Sequence, residues 1–295
     1  MRPFILLGDS TCDLPRHLRE QYDIDYIPMS YTVDDQEYIA SLDWESHSVA
    51  EFYQLMRSGK RIFTNQILSV TCREKFTEAL KSGKDVVYIS CSSALSSSYQ
   101  SACVIAREVM EQYPEGHIYC VDSLISTLGQ GHLLIEAAKL RQDGKSAAET
   151  AAYIESIRLK VQMMGYPGSL EYLHRAGRVK ASSAFFGNLF GVKPIIISDR
   201  LGHNYALKKV KGLNNVRNAV AEMVDEAFTE ETLVLSIVHA DNLQEANIIS
   251  EMLQQRHHFC EVRLADIGPI VGASVGPGMV GVFVFGKEVT IEGND

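Results

Sequence analysis

Hydroxyl, amide and carboxylate side chains gather at a few points of this 295-residue chain, and most of those points follow a short β-branched or aromatic run. Gly8-Asp9-Ser10-Thr11-Cys12-Asp13 follows the first run, and Phe63-Thr64-Asn65-Gln66 precedes a helical segment. Ser90-Cys91-Ser92-Ser93-Ala94-Leu95-Ser96-Ser97-Ser98-Tyr99 follows a later run, and Asp122-Ser123 the next. In a wound parallel sheet, ligands bind beyond the carboxyl ends of the strands, so several of these stretches are expected to converge at one edge. The serine run opens a helix, whose first N–H groups lack intrahelical partners and can donate to an anion. It holds no Lys or Arg and no G-x-x-x-x-G-K-[ST] spacing, so a singly charged carboxylate suits it better than a polyphosphate. The plainer alternative is that the serines only cap the helix and fill a turn. Asp9 and Asp13 have the chemistry for acid–base work or for holding a cation, and equally for capping a helix.

Three other motifs carry less. Gly276, Gly278 and Gly281 satisfy G-x-G-x-x-G, but the dinucleotide fingerprint opens a helix, and this stretch runs into a strand-like segment. Gly272-Ala273-Ser274-Val275-Gly276 satisfies G-x-S-x-G, yet the hydrolase elbow expects a later histidine and the last one is His258. His257, His258 and Cys260 match no tetrahedral zinc spacing and read as a loop leading into a buried strand cysteine.

Elements that position these residues follow from periodicity. Strands are expected at 4–7, 25–33, 86–90 and 118–121, with helices near 14–21, 49–58, 71–82, 98–112, 128–142 and 147–159. This alternation predicts an α/β domain with a parallel sheet over residues 1–160. Beyond 160 the rhythm changes to a strand at 161–165, short helices over 170–190, a hairpin of 193–198 and 205–210, and then helix, strand, helix, strand. Residues 161–295 therefore read as an α+β domain. The stretch 268–286 is uncharged, but its six glycines and two prolines make a poor spanning helix, so it reads as a glycine-rich loop and a last strand. No integral membrane segment is expected. The aromatic stretch Phe185-Phe186-Gly187-Asn188-Leu189-Phe190 reads as core before pocket lining.

With 37 acidic and 28 basic residues the chain carries −9, which argues against the broad positive field of a nucleic-acid binder. The charge is uneven, because residues 168–211 hold eight basic residues against two acidic, a local +6. Such a segment is a solvated face or a docking surface for an acidic partner. Six scattered cysteines without a C-x-x-C pair, and an N-terminus too short in apolar residues for a signal core, point to a reducing, cytoplasmic setting.

Taken in order along the chain, several pieces resemble the DegV family of bacterial fatty-acid-binding proteins. They are Asp9-Ser10-Thr11-Cys12-Asp13-Leu14, Thr64-Asn65-Gln66, residues 92–102, Tyr172-Leu173-His174-Arg175-Ala176-Gly177-Arg178-Val179, Lys193-Pro194-Ile195 and Gly276-Pro277-Gly278. The resemblance implies an N-terminal α/β domain and a C-terminal α+β domain with a long-chain fatty acid between them. It implies a carrier without catalytic residues, cofactor or metal, which presents its ligand to a separate dihydroxyacetone-kinase-like fatty acid kinase for phosphorylation to an acyl phosphate. By similarity the carboxylate would lie against Thr64, Asn65, Ser92, Ser93, Ser96, Ser97 and Ser274, with Arg178 and Lys211 on the docking face. The chain departs from the family at Asn65, which stands where serine is usual, and at Ser97-Ser98, which replace a glycine-threonine pair. Ser274 takes the place of a histidine found in many members; a serine there can donate a hydrogen bond but carries no charge. An enzyme acting on a small phosphorylated or carboxylated metabolite through Asp9, Asp13 and the serine loop is the alternative.

Overall fold

A computed structural model describes residues 2–180 and 191–293. The first half runs β1 (Phe4–Asp9), α1 (Arg16–Gln21), β2 (Ile24–Ile27), β3 (Met29–Val33), β4 (Gln36–Ala40), α2 (Val49–Arg57), β5 (Ile62–Ile67), α3 (Ser69–Lys81), β6 (Asp85–Ser90), α4 (Ser98–Gln112), β7 (Ile118–Asp122), α5 (Thr127–Gln142) and α6 (Ala147–Ile157). The second half runs β8 (Val161–Tyr166), α7 (Leu170–Ala176), β9 (Val179–Lys180), β10 (Val192–Ser198), β11 (Asn204–Lys211), α8 (Leu213–Ala227), β12 (Val234–His239), α9 (Leu243–Gln254), β13 (Glu261–Asp266), α10 (Pro269–Val275) and β14 (Val280–Phe285).

Strands β2-β1-β6-β7 form the expected parallel sheet. The single strand expected at 25–33 is instead two strands in two sheets. Pro28 has no N–H to continue a ladder, and its carbonyl accepts from Leu68 N–H at 2.9 Å. Beyond it, β3 leaves the parallel sheet to sit between β4 and β5 in an antiparallel three-stranded sheet. Both partners were missed because they are short, polar and half exposed, as Ile62-Phe63-Thr64-Asn65-Gln66-Ile67 illustrates.

A seven-stranded mixed sheet, ordered β13-β12-β14-β8-β10-β11-β9, makes the second half, with the expected β10–β11 hairpin. The expected loop after β13 is wrong in one respect: residues 269–275 form a helix. Proline is well placed in a first turn, where its missing N–H has no helical partner to lose. Cys260 also departs from expectation, being exposed just ahead of β13. The aromatic stretch 185–190 lies outside the described residues.

Helix α5 lies between the two large sheets, with eleven of its sixteen residues buried, and packs on β1, β2 and β6 on one side and β8, β12 and β14 on the other. One apolar cluster accordingly runs from Leu6 and Val87 through Leu133 and Leu134 to Val238, Ile267 and Phe283. A second fills the outer face of the large sheet beneath α8 and α9. Among the described residues no helix is long and apolar enough to cross a membrane.

Candidate functional site

Three loops leave the carboxyl ends of β1, β6 and β7, and together with β5, α7 and α10 they enclose a cavity of about 470 Å³. This is within the ~300–1,000 Å³ usual for small-ligand sites. Hydroxyls come from Thr64 on β5, Ser93, Ser96 and Ser97 after β6, Ser126 after β7, and Ser274 on α10. Met29, Leu95, Leu173, Ile270, Val271 and Val275 supply apolar surface. Arg178 is the one charged side chain among the described lining residues.

Two helices point their positive ends at the hydroxyl-rich part. The chain caps α2 and α6 with complete capping boxes, Ser48 with Glu51 and Ser146 with Glu149. It does not do so at the cavity, where the N-caps of α4 and α5, Ser97 and Ser126, make no capping bond. First-turn N–H groups and helix dipoles there favour an anion without a cation beside it.

Buried carboxylates hold the loops in place. Asp9 accepts from the Thr11 N–H (3.0 Å) and hydroxyl (2.6 Å), the Tyr88 hydroxyl (3.1 Å) and the Cys91 N–H (2.9 Å). Asp122 accepts from the N–H groups of Ser93 (3.0 Å) and Leu124 (3.1 Å), tying the second loop to the third. That third loop is strained, with Leu124 and the β-branched Thr127 at φ of 55° and 54°.

Thr64, Asn65, Ser93, Ser96, Ser97, Ser274 and Arg178 all line the cavity. The Asn65 amide is partly committed, donating to Ser30 Oγ at 3.0 Å and Glu37 Oε1 at 3.2 Å. Ser96 shares a 2.9 Å hydrogen bond with Ser98. Arg178 is exposed and donates to the Ala176 carbonyl at 2.7 Å. Ser92 does not line the cavity: its buried hydroxyl donates to the Gly202 carbonyl at 2.8 Å and joins the two halves of the chain. Lys211 lies apart, exposed at the end of β11.

The acid–base alternative loses its residues. Asp9 is saturated by donors and acts as an anchor. Asp13 faces a separate cavity of about 250 Å³ with Trp44 and Asp266, and its Oδ1 accepts from Gly268 N–H at 3.0 Å. Burial, then the charges of Asp266 and Asp9, push its carboxyl well above the usual carboxylate range. Sequence reasoning missed Ser126 and Asn204 in the cavity lining. Strand-end logic reached Asp122-Ser123 and would have found Ser126 had it been carried to the helix start; Asn204, at the amino end of β11, gives no such signal.

A DegV family profile, describing uncharacterised proteins, matches residues 4–287. A DegV domain-containing protein of Clostridium perfringens is 31% identical over 287 residues, 97% of this chain and 98% of the relative. One from Streptococcus pyogenes is 29% identical over 284 residues, 96% and 98% of the two chains. The solved structure of DegV, a fatty-acid-binding protein from Bacillus subtilis, superposes with a TM-score of 0.84 at 26% identity, covering 97% of this chain and all (100%) of that one. A stearic-acid-binding protein from Eubacterium ventriosum gives a TM-score of 0.86 at 24% identity over 98% and 100%. A match that spans nearly every element just described, in sequence and in fold alike, leaves one assignment: this chain belongs to the DegV family.

Proposed function

We propose that the protein binds a long-chain fatty acid in the 470 Å³ cavity. The carboxylate lies among Thr64, Ser93, Ser97, Ser126 and Ser274 at the starts of α4 and α5, and the acyl chain lies against Leu173, Ile270, Val271 and Val275. The observation that carries this reading is the pairing in one cavity of helix N-termini and hydroxyls with apolar side chains. The fatty acids bound by the Bacillus subtilis and Eubacterium ventriosum proteins support it. Affinity comes mostly from the tail, at roughly 0.8 kcal/mol per buried methylene. Native mass spectrometry of gently purified protein is expected to show a bound acyl chain released on denaturation. Protein that is repeatedly ligand-free and also ignores added fatty acid would overturn the reading.

The wider role follows from the same reading. The protein acts in the cytoplasm as a carrier that presents the carboxylate to a dihydroxyacetone-kinase-like fatty acid kinase. Two features support this: Arg178 is exposed while lining the cavity, and the segment around it carries +6 in a chain of −9. Loaded protein, such a kinase and ATP should together give an acyl phosphate that hydroxylamine traps, with Lys211→Glu, apart from the cavity, weakening kinase capture but not fatty acid binding.

A further inference from the structure

Away from the cavity, α4 carries Tyr99, Cys103 and Arg107 at four-residue spacing, which places them on one stripe of the helix. The stripe borders the buried positions Ala102, Ile105, Ala106 and Val109, and α4 packs on β7, the edge strand of the parallel sheet. There Cys120 meets Cys103: the two thiols hydrogen-bond to each other, and the Tyr99 hydroxyl hydrogen-bonds to Cys103 as well. Both cysteines are half-buried, unlike Cys12, Cys72 and Cys91. The Cys120 and Tyr99 hydrogen bonds and the Arg107 charge bring the Cys103 thiol down to about 7, while Cys120, the donor, is pushed well up. Cys12, Cys72 and Cys91 differ in every respect, being buried thiols pushed up by desolvation, Cys72 to about 12. An attacking thiolate beside a resolving thiol is the arrangement of a redox sensor.

We propose that Cys103 and Cys120 form a peroxide-sensitive dithiol that closes into an intramolecular disulfide between α4 and β7. The Cys103 thiolate attacks the O–O bond of a hydroperoxide; an S–O bond forms, the O–O bond breaks, and the leaving oxygen takes a proton as water or alcohol. Cys120 then attacks the sulfenic sulfur, forming the S–S bond as the S–O bond breaks and water departs. The peroxide is reduced by two electrons and the thiol pair is oxidised by two. The bond joins the helix that starts at the serine loop to the strand that ends at Asp122, two elements that frame the cavity.

Hydrogen peroxide in small molar excess tests this on the whole chain. The intact mass is expected to fall by ~2 Da, reversibly with dithiothreitol, and non-reducing digestion to link the Cys103 and Cys120 peptides. In Cys120→Ser the Cys103 sulfenic acid persists and is captured by dimedone, whereas Cys103→Ser yields neither product. Before oxidation, Cys103 should alkylate at neutral pH at least ~10-fold faster than Cys72. The proposal is overturned if both thiols stay fully alkylatable under peroxide, or if the only bridge joins Cys260 of two copies. It is equally overturned if Cys103 gains ~32 Da as sulfinic acid while Cys120 stays free. The wild-type mass and peptide map decide the matter even where a serine variant fails to fold.

Discussion

Thr64 and Ser93 face the cavity while Asp9 and Asp13 are tied into the scaffold, and substitution should separate these roles. Replacing Thr64 by Val and Ser93 by Ala together removes two hydroxyls from the proposed head-group site, at about 1 kcal/mol each. Fatty acid affinity by fluorescence displacement should therefore fall roughly 10- to 30-fold with the melting temperature unchanged; unaltered affinity would place the carboxylate elsewhere. Asp9→Ala does the reverse, because it leaves the buried N–H groups of Thr11 and Cys91 without their acceptor. A loss of roughly 2–5 kcal/mol in urea unfolding is expected. Asp13 gives a pH signature. Burial raises its carboxyl above the usual range, so the folded state holds its proton more tightly than the unfolded chain does. The stability this confers is complete below the unfolded value of about 3.9 and is lost as the pH rises through the folded value. Against Asp13→Asn, which stays neutral and can keep the acceptor for Gly268 N–H, the wild type should lose relative stability steadily above about pH 4. A difference that is flat or rises with pH in urea titrations would show that Asp13 ionises without penalty.

Helix α10 forms one wall of the cavity. It places Ile270, Val271, Ser274 and Val275 along the cavity, and it approaches α2 closely enough that only glycine fits at position 272. A Cβ there would stand 2.6 Å from Tyr53 Oη and 3.3 Å from Phe52 Cε1. The Tyr53 ring cannot swing aside freely, because its hydroxyl donates to the Ile267 carbonyl at 2.6 Å. Gly272→Ala should therefore cost about 1–3 kcal/mol and displace the wall, so that thermal stability and fatty acid affinity fall together. A variant that keeps both would show the helix to be freely adjustable. This helix also marks where sequence reading stops. Long elements with strong periodicity, such as α4 at 98–112, and the β10–β11 hairpin with its Asp199-Arg200-Leu201-Gly202 turn, were legible because local pattern alone determines them. A seven-residue stretch with a proline, a glycine and three β-branched residues becomes helical only through what it packs against, and that packing has no local signature. The same distinction divides the site. Serines at strand ends and a helix start identified the polar lining, whereas Ser92 and Asn204 have positions set by the meeting of distant strands.

The change of topology near residue 160 is not a break in the core of the molecule. Leu6 and Val87 of the parallel sheet and Val238 and Phe283 of the mixed sheet belong to one apolar cluster, with α5 between them. Polar contacts reinforce the seam: Arg57 pairs with Asp241 at 2.6 Å, Gly268 N–H donates to Asp13, and Ser92 donates to Gly202. A helix buried on two sides cannot keep one sheet when the other is removed without exposing an apolar face to water, at ~25 cal/mol per Å². The two halves should therefore fold as one unit. The cavity walls come from both halves, Ser93 and Ser126 from the first and Ile270 and Ser274 from the second, so the site should exist only in the joined molecule. Full-length protein is expected to unfold in urea with coincident near-UV and far-UV transitions. Residues 1–160 expressed alone should instead retain helical far-UV signal, bind a hydrophobic dye and lack a sharp transition. A cooperative transition in that fragment would show that the parallel sheet carries enough core of its own, and that the seam along α5 is an interface between independent domains.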